Sequence, residues 1–163
     1  MEDGAYLSGA VRIERGARVM RGAIIEGPTI VGENCVVRPG AYLRGNVVLG
    51  SGVLIGHGTE VKGSIVLSGA SMAHFSYVGD SVIGGRVLIG AGVKLANARL
   101  DQGLIAIATP DGAIKTGLRR LGSVVGDRAS IGCNAVLNPG SVIASRAHVP
   151  PLHSVRGWFA GVA

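Results

Sequence analysis

Aromatic residues are scarce in this sequence. They make up 4% of the 163 residues, although 47% of the chain is hydrophobic and 28 residues are glycine. With so few large rings, the core has to be built from Val, Ile, Leu and Ala, and the chain must turn often at its glycines. This composition indicates a short structural unit that repeats many times.

Cysteine is also rare. Cys35 and Cys133 lie almost a hundred residues apart, and the chain has no CxxC and no Cys/His pair with the spacing of a metal site. A disulfide framework and a zinc site are therefore not expected. We expect both cysteines to be small buried thiols, and we expect no bound metal.

Long apolar runs and a dense cluster of charge are missing as well. No run is long enough to span a bilayer, and the N-terminus, MEDGAYLSG, lacks the basic and apolar regions of a signal peptide. A single-domain, cytoplasmic protein without a membrane partner is expected. The 16 Lys and Arg residues give a net charge of +6 but are spread along the chain. This pattern suits phosphorylated small molecules at least as well as nucleic acid, and no nucleic-acid partner is expected.

A six-residue period runs through the first 61 residues. It places an aliphatic residue at ten consecutive positions, which are Leu7, Ile13, Val19, Ile25, Val31, Val37, Leu43, Leu49, Ile55 and Val61. A small or β-branched residue stands two positions before each of them. A period of six fits a short strand followed by a corner, with two of every six side chains pointing inward. Three such sides make an 18-residue coil, so the sequence predicts an all-β, parallel β-helix.

The repeat also defines the predicted boundaries. The aliphatic frame returns at Ile83, Ile89 and Leu95 and again from Val125 to Val149. We therefore predict one domain over residues 1–163, with coils over about 5–96 and 122–150. Residues 97–121 are predicted to form a loop, and residues 151–163 a C-terminal cap.

Residues 18 apart should stack in columns along the coils. This spacing groups Glu26, Arg44 and Lys62 in one column, Tyr42 and Glu60 in a second, and Arg38, Gly56 and His74 in a third. Arg44 and Lys62 could bind a phosphate, or they could form a solvated charge ladder balanced by Glu26. The frame slips between Leu67 and Ile83, close to His74, and such an irregularity can mark a functional site.

Four segments go beyond the repeat: EVKGSIVL (60–67), HFSYVGDSVIG (74–84), LIGAGVKLANARLD (88–101) and KTGLRRLGSVVGDRASIGCNAVLNPGSVI (115–143). They resemble the C-terminal left-handed β-helix domain of sugar-phosphate nucleotidylyltransferases. The resemblance is closest to the bifunctional enzymes that also acetylate glucosamine 1-phosphate. It implies a left-handed β-helix, a homotrimer, and transfer of an acetyl group from acetyl-CoA to an amino-sugar phosphate.

The resemblance also implies roles for particular residues. His74 would be the general base, and Glu60, Lys62, Tyr77 and Asn97 would surround the sugar. The phosphate-binding arginine would be Arg44 by spacing or Arg38 by the word RPGA. The tail HVPPLHSVRG looks like the CoA-side end of other hexapeptide acyltransferases, but no individual CoA-binding residue is assigned.

Three positions depart from the family pattern. Leu88 and Val93 stand where asparagine and threonine are usual, and Ala98 stands where tyrosine or another larger residue is usual. These departures put the acceptor sugar, and activity itself, in question. A non-catalytic trimeric module, which binds a sugar nucleotide or serves oligomerisation, is therefore the alternative function. No Gly-rich phosphate loop follows a strand near the N-terminus, so nucleotidylyltransferase activity is not expected of this chain alone.

A zinc-dependent carbonic anhydrase of the same fold is the least favoured alternative. His148 and His153 could supply two metal ligands, but Gly112 stands where a third would be expected.

Overall fold

The computed structural model describes residues 1–161, and every regular element among them is a short β-strand. The strands before the insertion are Tyr6–Ser8 (β1), Val11–Ile13 (β2), Arg18–Val19 (β3), Ile24–Glu26 (β4), Thr29–Val31 (β5), Val36–Val37 (β6), Tyr42–Arg44 (β7), Val47–Leu49 (β8), Leu54–His57 (β9), Glu60–Lys62 (β10), Ile65–Val66 (β11), Ser71–His74 (β12), Tyr77–Gly79 (β13), Val82–Ile83 (β14), Leu88–Ile89 (β15) and Lys94–Leu95 (β16). The insertion holds Ile105–Thr109 (β17) and Gly112–Leu118 (β18). After it come Val124–Val125 (β19), Ser130–Ile131 (β20), Val136–Leu137 (β21), Val142–Ile143 (β22), His148–Val149 (β23), Ser154–Val155 (β24) and Trp158–Phe159 (β25).

The strands form three parallel sheets, which are the faces of a left-handed β-helix. Face A contains β1, β4, β7, β10, β13, β16, β21 and β24, and face B contains β2, β5, β8, β11, β14, β19, β22 and β25. Face C contains β3, β6, β9, β12, β15, β20 and β23. The chain turns the A–B, B–C and C–A corners in that order in each coil. The predicted β-helix is confirmed.

The core is the stacked aliphatic row that the repeat predicts. Most of its members are completely buried, as are the small residues two positions before them, among them Ala23, Cys35 and Val53. Each aliphatic side chain is covered by the equivalent side chains of the neighbouring coils. This contact removes it from water without large rings.

Two successive coils are each one residue shorter than the 18-residue repeat, because the sides from Val61 to Val66 and from Val78 to Ile83 have five residues. Val66 follows Val61 after five residues and pairs with Ile83, while Leu67 is 45% exposed and lies outside the row. The predicted column of Gly56 beneath His74 is therefore wrong. His74 pairs instead with His57, 17 residues earlier, because the missing residue shifts the register. The predicted register of Tyr42 with Glu60, and of Glu26 with Arg44, is confirmed.

At the shortened A–B corners, the hydroxyl groups of buried serines replace backbone carbonyls as hydrogen-bond acceptors. The Ser64 hydroxyl donates to the Lys62 carbonyl (2.7 Å) and accepts the Ser81 N–H (3.0 Å). One coil further, the Ser81 hydroxyl donates to the Gly79 carbonyl (2.7 Å) and accepts the Ser123 N–H (3.0 Å). Buried N–H groups need such partners, so these hydroxyls complete the backbone bonding where the corner is short.

The insertion at residues 97–121 is more ordered than the predicted loop. Strands β17 and β18 form an antiparallel hairpin that begins and ends at the A–B corner. The buried Ile105 and the neighbouring backbone of Ala106 pack over Gly140, where an added Cβ would lie 2.3 Å from the Ala106 oxygen. The hairpin therefore lies against the coils.

The C-terminal segment extends the coils further than predicted. β24 pairs with β21 on face A, and β25 pairs with β22 on face B, so regular stacking reaches Phe159. The coil boundary at residue 150 is therefore wrong, because two more strands find parallel partners. Val162 and Ala163 of the predicted cap lie outside the described residues.

The two cysteines differ in burial. Cys35 occupies an inward position and is buried, whereas Cys133 is exposed at the C–A corner. The expectation of two buried thiols is therefore wrong for Cys133. Both thiols are free. Within residues 1–161 no helix is long and apolar enough to cross a membrane.

Candidate functional site

His74 lies at the C–A corner, where strand β12 ends. Its side chain is exposed, and Phe75 follows in a left-handed backbone conformation (φ 52°) with 58% of its surface exposed. Bulky residues rarely adopt this conformation, and strained positions are frequent at functional sites. Phe75 fits because it lies over Gly58, where an added Cβ would be 2.6 Å from the Phe75 ring.

A second histidine lies directly beside this position. The His57 ring packs edge-on against Phe75, with 5.3 Å between ring centroids, and its Nδ1 lies 2.7 Å from the Pro39 carbonyl oxygen. A carbonyl only accepts hydrogen bonds, so Nδ1 carries the proton and Nε2 of the neutral ring is left as an acceptor. His57 is not among the predicted site residues, because a column spacing of 18 places Gly56 beside His74.

Lys94 brings a positive charge close to His74. Its Nζ donates to the carbonyl oxygens of Phe75 (3.1 Å) and Gly92 (2.8 Å). The Gly92 N–H in turn donates to the His74 carbonyl (3.1 Å). These contacts tie the His74 corner to the following coil. No repeat signal distinguishes Lys94 from other outward residues of face A.

The outer surface of face A carries the Arg44 and Glu60 side chains as an ion pair. Arg44 Nη1 donates to Glu60 Oε1 at 2.8 Å, and this bond raises the pKa of the guanidinium. Tyr42 lies in register with Glu60, and partial burial together with the Glu26 carboxylate raises the pKa of its phenol. Arg44 is thus neutralised by the residue that the resemblance placed near the sugar.

Lys62 and Asn97 meet at the A–B corner through Asp80. Lys62 Nζ lies 3.0 and 3.1 Å from the two carboxylate oxygens of Asp80, and Asn97 Nδ2 donates to Oδ2 at 2.5 Å. Asn97 is 7% exposed. The Tyr77 hydroxyl is close by, because it and the Asn97 amide both lie over Gly79. Asp80 was not predicted as a site residue, although it belongs to the quoted segment HFSYVGD.

The predicted residues therefore occupy both edges of face A. Lys62, Tyr77 and Asn97 cluster towards the A–B corner, and Arg44 and Glu60 pair on the face itself. His74 lies at the opposite, C–A edge, at the end of a face C strand. Arg38 is half-buried and precedes Pro39 at that same C–A edge, so the two candidate arginines lie apart. The charge ladder is balanced by Glu60 and Asp80 as ion-pair partners.

The three departures from the family pattern lie in different surroundings. Leu88 is 57% exposed on face C, whereas Val93 is fully buried in the core. Ala98 pairs with Arg120 at the base of the hairpin. Among residues 1–161 no three His, Cys, Asp or Glu side chains are grouped as they would have to be to hold a metal ion.

Comparison with known proteins identifies the family. Residues 25–143 match the family described as the GMPPB C-terminal domain. The chain belongs to this family. The match confirms the resemblance to the β-helix domain of nucleotidylyltransferases, and it includes His74 and the whole hairpin.

Individual relatives match over different lengths. The Escherichia coli protein named uncharacterized acetyltransferase YaiX is 33% identical over 144 residues, which are 88% of this chain and 63% of YaiX. The chain thus spans less than two thirds of that relative. A bifunctional sugar-1-phosphate nucleotidylyltransferase/acetyltransferase of Sulfurisphaera tokodaii is 37% identical over 83 residues, which are 51% of this chain and 21% of that protein. A perosamine N-acetyltransferase from Caulobacter crescentus, solved with CoA and GDP-perosamine, is 16% identical with a TM-score of 0.45, covering 93% of this chain and 52% of that one.

Proposed function

We propose that this chain transfers an acyl group, in the first instance acetyl, from acyl-CoA to the amino group of a sugar phosphate or nucleotide sugar. The observation that carries the proposal is the arrangement of face A. A cluster of polar and charged groups lies at one edge, and the exposed His74 lies at the other. Membership of the GMPPB C-terminal domain family and the acetyltransferase names of the relatives support it.

His74 would act as the general base. The free amine attacks the thioester carbonyl, the new C–N bond forms, and the C–S bond then breaks to release the CoA thiolate. The amine loses its proton to His74, and the imidazolium returns this proton to the thiolate. An imidazole suits both steps because its ordinary pKa is close to neutral pH.

The acceptor would bind across the outer surface of face A. Lys62 would contact the phosphate, with Arg44 or Arg38 as the second cation, while Glu60, Tyr77 and Asn97 would hold sugar hydroxyls. Arg44 and Lys62 are each paired with a carboxylate here, so a bound phosphate would have to share them with Glu60 and Asp80. Because His74 and the Lys62 cluster lie at opposite edges of face A, we propose that a second copy in a homotrimer completes each site.

The proposal is tested by measuring thiol release from acetyl-CoA with a panel of amino-sugar phosphates and the corresponding free sugars. We expect His74→Ala to lower kcat by about 10² to 10⁴ with little change in KM for acetyl-CoA. Lys62→Ala should mainly raise KM for the phosphorylated acceptor. If wild type acetylates an acceptor and His74→Ala is equally fast, His74 is not the base.

The neutralisation of Arg44 and Lys62 within the chain favours one alternative, a non-catalytic module that binds a sugar nucleotide. Such a module would bind its ligand but release no thiol with any acceptor in the panel. Calorimetry with the same compounds, run beside the thiol assay, separates the two functions.

A further inference from the structure

The B–C corner carries a column of left-handed residues, one in each coil. In the first four coils these are Gly16, Asn34, Gly52 and Gly69, which suit this conformation. In the next three they are Arg86 (φ 57°), Arg128 (φ 59°) and Arg146 (φ 63°). A left-handed backbone is energetically unfavourable for arginine, so local backbone preference does not explain three successive arginines at this corner. A function of their side chains would explain them.

These arginines stack directly on one another. The Arg128 N–H donates to the Gly85 carbonyl (2.9 Å), and the Arg146 N–H donates to the Asp127 carbonyl (2.8 Å), so consecutive coils are locked in register. Neighbouring coils lie about 4.8 Å apart. The like charges of the column are thus held close together at an exposed corner, and their repulsion decreases when an anion lies beside them.

No carboxylate neutralises the column within the described residues 1–161. Arg86, Arg128 and Arg146 form no ion pair there, whereas Arg15 at the same corner lies 3.9 Å from Glu33. Asp127 is the acidic residue beside the column, and its Oδ1 accepts the Gly85 N–H at 2.7 Å. Three positive charges against one negative charge leave the corner cationic.

A concavity of about 480 Å³ opens on face B beside the column. Its floor is apolar and includes Val48, Ile65 and Leu67, and its rim includes Ser68, Arg86, Asp127 and Arg128. An apolar floor next to two guanidinium groups provides two chemistries side by side. The floor can cover a flat, weakly polar ring system, and the guanidinium groups can each bind a phosphoryl group with two hydrogen bonds.

We propose that this B–C corner site binds the diphosphate group of a nucleotide, either free or as part of a nucleotide sugar. Two guanidinium groups one coil apart match two linked phosphoryl groups better than a single phosphate, and the floor beside them has room for the base. The site lies at a different corner from both His74 and Asp80. It is therefore a second site, apart from the face A site proposed for the phosphate of the acceptor, and its binding of a nucleotide does not depend on acyl transfer.

Calorimetry on the full chain at moderate salt tests this site with UDP, GDP and ADP, with inorganic pyrophosphate, and with uridine. We expect the nucleoside diphosphates to bind, pyrophosphate to bind more weakly because it leaves the floor empty, and uridine not to bind. Comparing UDP with a UDP-sugar distinguishes the free nucleotide from the nucleotide sugar as the preferred ligand. Failure of wild type to bind any diphosphate at about 10 mM overturns the proposal.

The double variant Arg86→Gln/Arg128→Gln should weaken diphosphate binding about tenfold or more. The matched control is Arg12→Gln/Arg15→Gln, which removes the same charge from arginines that already have carboxylate partners. Equal weakening by both double variants would show a general charge effect and overturn the proposal. Lys62→Ala should keep the binding, and its loss there would assign the diphosphate to the acceptor site instead. Melting temperatures confirm that each variant is folded.

Discussion

Asp80 joins two of the predicted site residues and also supports the hairpin. Its carboxylate contacts Lys62 and Asn97, and its carbonyl accepts the Gly122 N–H (2.8 Å) where the chain returns from the hairpin. Its backbone is left-handed (φ 46°), a conformation that aspartate tolerates better than most residues. Asp80 thus connects the Lys62 edge of face A to the inserted hairpin.

We predict that Asp80→Asn lowers the free energy of unfolding by about 1–3 kcal/mol, because it leaves a half-buried ammonium group without its counter-charge. Urea denaturation followed by circular dichroism measures the change. Asp101→Asn is the control, since it removes an exposed ion pair with Arg99 on the insertion and should leave the midpoint nearly unchanged. A variant at position 80 as stable as wild type would contradict the structural role of Asp80.

Cys35 makes stability depend on pH at the alkaline end. Burial raises the pKa of its thiol above the ordinary value of 9.0, and the thiol donates to the Gly50 carbonyl at 3.0 Å. Because the folded state holds this proton more tightly than the unfolded state, the stabilisation is complete below the ordinary pKa. It is lost as the pH rises through the folded pKa.

We therefore predict that the urea midpoint of wild type falls as the pH is raised above about 9, and that Cys35→Ala shows a shallower fall. The variant will be less stable at every pH because it leaves a small cavity, so the slope is the quantity to compare. Cys133→Ala is the matched control, since its thiol is exposed. Parallel slopes for wild type and Cys35→Ala would be inconsistent with this assignment.

At the scale of the elements, the shortened A–B corner depends on hydroxyl groups in place of carbonyls. Ser64 and Ser81 each accept an N–H from the next coil while donating to a carbonyl of their own coil. These hydroxyl hydrogen bonds stabilise the five-residue sides. They give the buried N–H groups of Ser81 and Ser123 an acceptor, which a backbone carbonyl supplies where the side has six residues. The register of His57 with His74 follows from this short corner.

We predict that Ser81→Ala lowers the free energy of unfolding by about 1–3 kcal/mol, because the buried Ser123 N–H loses its acceptor. Thermal unfolding should show a decrease in Tm of about 2–4 °C per kcal/mol for a chain of this length. Ser145→Ala, at an exposed corner position, should have almost no effect. An equal effect of both substitutions would contradict the stabilising role of the Ser81 hydroxyl.

The hairpin is the element whose structure is least predictable from the sequence. The loss of the six-residue frame correctly located the insertion, but Ile105, Ile107 and Ile114 follow no repeat that would reveal two paired strands. The hairpin packs over Gly140, where a side chain would clash with it. Nothing in the sequence distinguishes this glycine from the other corner glycines.

At the scale of the whole molecule, assembly is the main prediction that stays open. A homotrimer is expected because His74 and the Lys62 cluster lie at opposite edges of face A. Light scattering at micromolar concentration should therefore give three times the mass of the chain. A monomer under these conditions would count against a site shared between copies.

The sequence alone determined the β-helix and the inward and outward side chains. Alternation along a short strand is a local property, so Leu43, Ile55 and Leu137 could be assigned to the core before any contact was known. The resemblance to a known family added His74, Lys62, Tyr77 and Asn97, and the structure places the last three of these together.

Only the tertiary structure decided which outward residues stack on one another. Stacking depends on the number of residues in every intervening coil, and a single missing residue or an inserted hairpin shifts each later column. The first of the two 17-residue coils therefore put His57 beside His74. The hairpin separates Gly85 from Asp127 by 42 residues, yet they lie in adjacent coils, so Arg86 and Arg128 line the same concavity. The sequence pattern records that residues are missing from the frame, but the corners at which they are missing, and therefore the stacking partners, are decided by contacts between coils.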